Sequence, residues 1–188
     1  MQTADNVARW FLSRNKMHAD AEYITNLKLQ KLLYYAQGMH MGEYGEKMFE
    51  EPIVAWSCGP VVESVYNAYK HNGADGIKEF APPVENFTER EENTLQAVDN
   101  TFGQYAAWKL VEMTHSETPW QSTRRGEVIK PYKIRAYFLH NYIKDDTPKI
   151  SEIERQVMRE AILTDKYVSP VPTNYDIDAF IRESRGYE

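Results

Sequence analysis

The stretch from Thr25 to about Met41 places the strongest constraint on how this chain of 188 residues can fold. Thr25 is a typical N-cap residue, and apolar side chains then recur at the spacing of one helical face. They are Leu29, Leu32, Leu33, Ala36 and Met39, with Tyr34 and Tyr35 widening that face. A helix that is apolar over so much of its circumference must be covered by other elements. We therefore predict that it lies at the centre of the fold.

The rest of the sequence predicts further helices around this one. Helical spacing and N-terminal signals place them at about residues 4–16, 60–72, 88–102, 104–114 and 133–144, with another beginning at Thr118. Pro60 is predicted to open its helix, because the missing N–H of proline costs nothing in a first turn. Thr88 and Glu91 have the spacing of a capping box, in which each residue bonds the backbone of the other.

One short run predicts extended chain. The residues IVAWS, which follow Pro52, are β-branched or aromatic and end just before Gly59-Pro60. We predict that they form a strand of a small antiparallel sheet, paired with extended stretches between Gly73 and Phe87. The predicted fold class is mainly α, with α+β as the alternative. It is a single compact helical domain over residues 4–147 with a small β element.

Residues 148–188 are predicted to form a helical C-terminal extension. Ser151 and Glu154 make a second capping box, and the stretch from Ser169 to Pro172 then breaks the helix. Within the domain, the helical periods and the motif aromatics predict one buried set. It comprises Leu29, Leu32, Leu33, Trp56, Val61, Val65, Leu110 and Trp120.

Composition and charge exclude several classes of function. The formal net charge of −6 disfavours nucleic acid as a partner, since phosphate contacts need a positive surface. No window approaches the length of a membrane span, and the N-terminal residues lack the pattern of a signal peptide. Cys58 is the single cysteine and cannot form an internal disulfide, which is typical of a reducing compartment. We therefore expect a cytoplasmic protein that does not enter the membrane.

Two residues are candidates for catalysis. Cys58 lies just before the predicted helix at Pro60, where a helix N-terminus would lower the thiol pKa. His115 in the motif THSETPW could act as a general base oriented by Glu117. The structural alternative is favoured for both: Cys58 packs, and Thr114, His115 and Thr118 cap backbone groups while Trp120 enters the core. We therefore predict no catalytic, cofactor or metal site.

Charge is unevenly distributed towards the C-terminus. Residues 124–144 hold six basic residues against one acidic, whereas residues 145–188 hold ten acidic against six basic. Either these two segments neutralise each other, or one of them docks a partner of opposite charge.

Three motifs together resemble the Panacea domain of SocA-like antitoxins in type II toxin–antitoxin systems. They are TNLKLQKLLYYAQG from Thr25, AWSCGPVVESVYNAYK from Ala55 and LVEMTHSETPW from Leu110. The resemblance covers about residues 4–143 and departs from the family pattern at Cys58, where an aromatic residue is expected. Its motif residues, structural or partner-binding, are Lys28, Leu29, Gln30, Lys31, Leu32, Leu33, Tyr34, Trp56, Gly59, Pro60, Val61, Tyr66, Thr114, His115, Pro119 and Trp120.

The resemblance implies an antitoxin that neutralises a cognate protein toxin by binding it, with no catalytic residues. It leaves the toxin, the oligomeric state and the choice between occlusion and delivery to a protease open. Two alternatives come from other classes: a binding module of phage or mobile-element origin that acts on another host protein, and an enzyme centred on Cys58 or His115.

Overall fold

The computed structural model describes residues 1–16, 23–79, 82–84 and 86–143. The helices within these ranges are α1 (Ala4–Lys16), α2 (Asn26–Tyr44), α3 (Glu63–Tyr69), α4 (Glu89–Phe102), α5 (Ala107–His115), α6 (Thr118–Gln121) and α7 (Pro131–Asn141). A short 3₁₀ turn, Lys70–Asn72, follows α3, and two strands, β1 (Val54–Trp56) and β2 (Gly59–Val61), form an antiparallel pair. The prediction of a mainly α fold with a small β element is confirmed.

Helix α2 is the central element, as its sequence predicts. It is buried on nearly all sides and packs against α1, α3, α4, α5 and α7. The Thr25 hydroxyl accepts a hydrogen bond from the Lys28 amide at 3.2 Å, and Gly45 ends the helix with φ of +75°. The helix runs three residues beyond the predicted end. Because glycine has no Cβ, Gly38 lets α7 approach: a Cβ there would lie 2.3 Å from the Phe138 ring.

The peripheral helices begin at or near the predicted residues, with α5 three residues later and α7 two residues earlier than predicted, and one prediction fails. Helix α1 has the predicted bounds, α4 opens with the predicted Thr88–Glu91 capping box, and proline lies in the first turn of α6. The exception is Pro60, since α3 begins only at Glu63 and Pro60 lies inside strand β2. The pairing of Pro60 with Ala55, and the φ of +104° at Gly59, turn the chain back along β1. The prediction of a helix opened by Pro60 is therefore wrong.

The strand predicted in IVAWS exists, but the partner predicted for it is wrong. Strand β1 pairs with β2 on one side, in the register Val54–Val61, and residues 126–129 lie along its other side. In the stretch from Gly73 to Phe87, Gly76 forms an isolated bridge with Thr25 instead. A two-residue turn allows β2 to pair with its sequence neighbour, which needs no long loop closure.

The core has two apolar clusters, a large one around α2 and a smaller one around β1, β2 and Tyr66. Every member of the predicted buried set is buried, which confirms that prediction. None of the helices in the described ranges combines the length and the hydrophobicity of a membrane span. The predicted C-terminal extension and its Ser151–Glu154 capping box lie outside the described residues.

Candidate functional site

The residues that carry the family resemblance form the interior of the domain. Of the sixteen, all except Lys28 are buried. Lys28 is half-buried, and its ammonium donates to the Gly103 carbonyl at 2.6 Å, which ties α2 to the end of α4. A partner that approaches this folded domain therefore meets other side chains first.

Polar side chains on α2 hold the neighbouring loops by their backbone groups. The Gln30 amide oxygen accepts from the Val62 N–H at 2.9 Å, and its amide nitrogen donates to Asn26. Asn26 in turn donates to the Tyr66 carbonyl at 3.0 Å. These bonds satisfy polar groups that burial would otherwise leave unpaired. They fix the position of β2 and α3 on the central helix.

Lys31 is a fully buried lysine whose ammonium donates to the Pro60 carbonyl at 3.0 Å. Burial lowers its pKa to about 7, with a smaller opposing effect from the Cys58 thiol. Gly59 makes room for it, because a Cβ at Gly59 would lie 2.9 Å from both the Lys31 Nζ and the Thr114 hydroxyl. Lys31 therefore acts as an internal tether between α2 and β2.

Cys58 is buried in the turn between β1 and β2. Because α3 begins only at Glu63, Cys58 is not next to a helix N-terminus, and the predicted placement is wrong. The local argument for a lowered thiol pKa therefore no longer applies.

Glu117 is a buried carboxylate that accepts hydrogen bonds from three tyrosine hydroxyls. Tyr34 donates at 2.7 Å, Tyr35 at 3.0 Å and Tyr142 at 3.4 Å. Burial raises the pKa of Glu117 to about 7, although the three hydroxyls act in the opposite direction. We call Glu117 and these three tyrosines the tyrosine cage. It joins α2, the α5–α6 connection and the end of α7.

His115 and Trp120 occupy a separate position near β1. Their rings stack at 3.9 Å, the Trp120 indole donates to the Trp56 carbonyl at 2.9 Å, and the Arg125 guanidinium lies 4.1 Å from the indole centre. Burial lowers the pKa of His115 to about 3, with further lowering by Lys31 and Arg125. His115 is therefore neutral at neutral pH. Since Glu117 is bonded to tyrosines, the geometry does not support the pair as a base and its orienting group.

Residues 29–121 match the family model described as "Antitoxin SocA-like, Panacea domain". The chain carries a SocA-like Panacea domain. A similar curated protein is Antitoxin SocA from Caulobacter vibrioides (strain NA1000 / CB15N), which is 30% identical over 121 residues, covering 55% of this chain and 61% of that protein. The chain thus spans about three fifths of the length of that relative. No solved structure matches the chain.

Sequence reasoning missed the main polar groups of this Panacea domain. The tyrosine cage joins residues that are far apart in the chain, and Arg125 was considered only as part of a basic stretch. One signal was present: Glu117 is a carboxylate inside a motif that ends in a buried tryptophan. Within the described residues, no three His, Cys, Asp or Glu side chains are grouped so that they could hold a metal ion.

The exposed large apolar side chains of the described residues include one pair near the start of α5 and one pair near the start of α7. The first pair is Tyr105 and Trp108, and the second is Val128 and Tyr132. Aromatic residues are enriched in protein–protein interfaces, so both pairs are candidate contact residues.

The raised pKa of Glu117 predicts a specific pH dependence of stability. The carboxyl group titrates at its ordinary value of 4.5 in the unfolded chain and at about 7 in the folded domain. The folded state therefore binds more protons between these values. The stabilisation is complete below pH 4.5 and is lost as the pH rises through 7. In Glu117→Gln, which does not titrate, this contribution is absent.

We therefore compare the unfolding free energy of the unmodified protein with that of Glu117→Gln. The difference between them should fall by up to about 3 kcal/mol as the pH rises from 4.5 to 8. Urea unfolding at several pH values measures this difference. The titration of His115 affects both proteins alike and cancels. A difference that stays constant over this range would show that Glu117 keeps an ordinary pKa.

Proposed function

We propose that this protein is an antitoxin that neutralises a cognate protein toxin by binding it directly. The Panacea domain and the relative named Antitoxin SocA support the antitoxin role. The observation that carries the proposal is that Lys31, Cys58, His115 and Glu117 are all buried. Side chains capable of chemistry thus serve the interior of the domain, which suits a binding protein better than an enzyme.

The buried motif residues have a structural role in this proposal. They hold the tertiary structure through internal bonds such as Lys31 to Pro60 and Trp120 to Trp56. Specificity for one toxin then resides in exposed residues, since a shared scaffold can carry different surfaces. Tyr105 and Trp108 on the described surface are the first such candidates.

The C-terminal extension is the second candidate. Residues 148–188 carry eight acidic and six basic side chains, directly preceded by Asp145 and Asp146, and lie beyond the matched residues. Proteins that attack nucleic acid or the ribosome present basic surfaces, which an acidic segment covers and attracts at long range. We therefore propose that the extension contributes to toxin binding in the cytoplasm.

The antitoxin role is tested with the protein encoded by the reading frame adjacent to this one. We expect its expression to stop growth, and co-expression of the full chain to restore growth and to yield a purified complex. The abundance of the toxic protein distinguishes the two routes, because occlusion leaves it unchanged and delivery to a protease lowers it. An adjacent protein that is harmless, or that does not bind this chain, would contradict the proposal.

Removal of the extension is predicted to weaken toxin binding selectively. A chain ending at Thr147 should lose at least about tenfold in affinity, because it lacks the acidic segment that attracts the toxin. Its thermal unfolding transition should remain cooperative, which shows that the domain is still folded. As a full-length control, Glu152→Gln, Glu154→Gln and Glu160→Gln together should reduce the affinity and its dependence on salt. Unchanged affinity in both proteins would remove the extension from the proposal.

A further inference from the structure

Residues 126–129 form an outer strand beside β1. The Gly126 amide donates to the Ala55 carbonyl at 2.8 Å, the Ala55 amide donates to the Glu127 carbonyl at 2.9 Å, and the Ile129 amide donates to the Ile53 carbonyl at 2.8 Å. Together with the antiparallel bridge between Val54 and Val128, these bonds make a third strand next to β1 and β2.

The pairing geometry leaves Val128 at an open edge. The hydrogen bonds that flank the Val54–Val128 bridge join Ile129 to Ile53 and Ala55 to Glu127, and neither involves the valines. The two valines therefore form a non-hydrogen-bonded pair. The amide and carbonyl of Val128 therefore point away from β1. Among the described residues, no backbone group bonds to either of them. The Val128 side chain is 39% exposed, so both the backbone and the side chain can take a partner.

An apolar groove lies next to this edge. It has a volume of about 170 Å³, and its lining includes Met41, Ile53, Val128, Ile129, Pro131 and Ile134. A strand added at Val128 would place one side chain next to that of Val128, since directly opposed residues share a face of the sheet. The edge and the groove together therefore fit an extended segment that carries an apolar side chain.

We propose that this edge is occupied by the stretch Ser169–Pro170–Val171–Pro172 of the same chain, with Val171 paired to Val128. Ser169 and Val171 each precede a proline, which restricts both to extended conformations. Their amides point to the same edge of an extended strand, because alternate residues share an edge. The two prolines lie on the other edge and have no N–H to expose there, so the added strand ends the sheet.

Charge and reach agree with this pairing. In an antiparallel register with Val171 opposite Val128, the chain continues towards Arg124. Asp176 follows five residues after Val171, so this register brings its negative charge towards the positive charge of Arg124. Helix α7, about 16 Å long, separates Val128 from the point at which the chain leaves the described domain. The 25 residues between Ile143 and Ser169 would span about 37 Å even if they were all helical, so the segment can return to Val128.

The docking of this segment does not depend on the antitoxin role. It anchors the C-terminal extension to the Panacea domain at one point and covers an edge that would otherwise pair with other chains. Residues between Ile143 and Ser169 are then held close to α7, whichever partner they contact.

The test is amide hydrogen exchange of the full chain, followed residue by residue by NMR. We expect the Val128 amide to be protected in the unmodified protein. Val171→Pro removes the amide that donates to Val128 and displaces the strand, so exchange at Val128 should accelerate about tenfold. The matched control is Val168→Pro, because the Val168 amide points to the outer edge, and it should leave Val128 protected. The Leu32 and Leu33 amides report global stability, which docking raises, so their exchange should accelerate by no more than that same factor in Val171→Pro and should not change in Val168→Pro.

Three results would overturn the proposal. The first is an unprotected Val128 amide in the unmodified chain. The second is an equal response to Val171→Pro and Val168→Pro, which would show that no specific pairing exists. The third is protection that survives Val171→Pro and increases with protein concentration, which would assign the edge to a second copy of the chain.

Discussion

Replacement of Trp120 by alanine is expected to lower the unfolding free energy by about 4 to 5 kcal/mol, enough to unfold much of a domain of ordinary stability. Trp120 is fully buried, stacks on His115 and lies under Arg125. Its removal leaves a large cavity between α6 and β1. The Trp56 carbonyl keeps one donor, because Arg125 also bonds to it at 3.2 Å. The loss is therefore mainly one of packing.

Urea unfolding, followed by far-UV circular dichroism, measures this effect. The matched control is Trp108→Ala, since Trp108 is 37% exposed and lies on the outer side of α5. It should change stability by less than about 1 kcal/mol. Equal losses in the two variants would mean that Trp120 is not the packing centre that the structure shows.

Replacement of Glu117 by alanine is expected to destabilise the domain by about 3 kcal/mol at pH 6. The change removes the acceptor from the hydroxyls of Tyr34, Tyr35 and Tyr142 at once. Tyr34 and Tyr35 are fully buried, so their hydroxyls have no access to water, and each lost bond costs about 1 to 3 kcal/mol. Relief from burying a carboxyl group offsets part of this cost.

The control for this change is Glu112→Ala on the preceding helix, α5. Glu112 is 58% exposed and forms a surface ion pair with Lys109, so its loss should cost no more than about 0.5 kcal/mol. Near-UV circular dichroism should also report the tyrosine cage, with a changed signal in Glu117→Ala alone. If Glu117→Ala were as stable as Glu112→Ala, the three tyrosine bonds would contribute nothing.

Much of the helical framework follows from local sequence. The bounds of α1, the capping box of α4 and the proline in the first turn of α6 depend on residues within one or two turns of each other. Local chemistry misplaced Pro60, because a Gly-Pro pair suits either a helix start or a strand at a sheet edge. In the folded domain Pro60 lies in a strand, and its carbonyl accepts a hydrogen bond from Lys31. This contact joins residues 29 positions apart, so it is not local in the sequence.

The interior polar groups also divide into features that the sequence predicted and contacts that only the tertiary structure shows. The sequence marked Lys31, His115 and Trp120 as motif residues, and it predicted Trp120 in the core. It did not reveal that Glu117 would meet Tyr34 and Tyr35, which lie more than eighty positions away, or that Val128 would stand at a sheet edge.

Sequence alone determined the helical class, the central position of α2 and the buried apolar set, because periodicity and capping act over a few residues and burial of a broad apolar face has few solutions. Only the tertiary structure decided which polar groups are paired inside and which sheet edge the described residues leave unpaired. Those outcomes depend on contacts between residues far apart in the chain, and one spacing pattern is compatible with many such contacts.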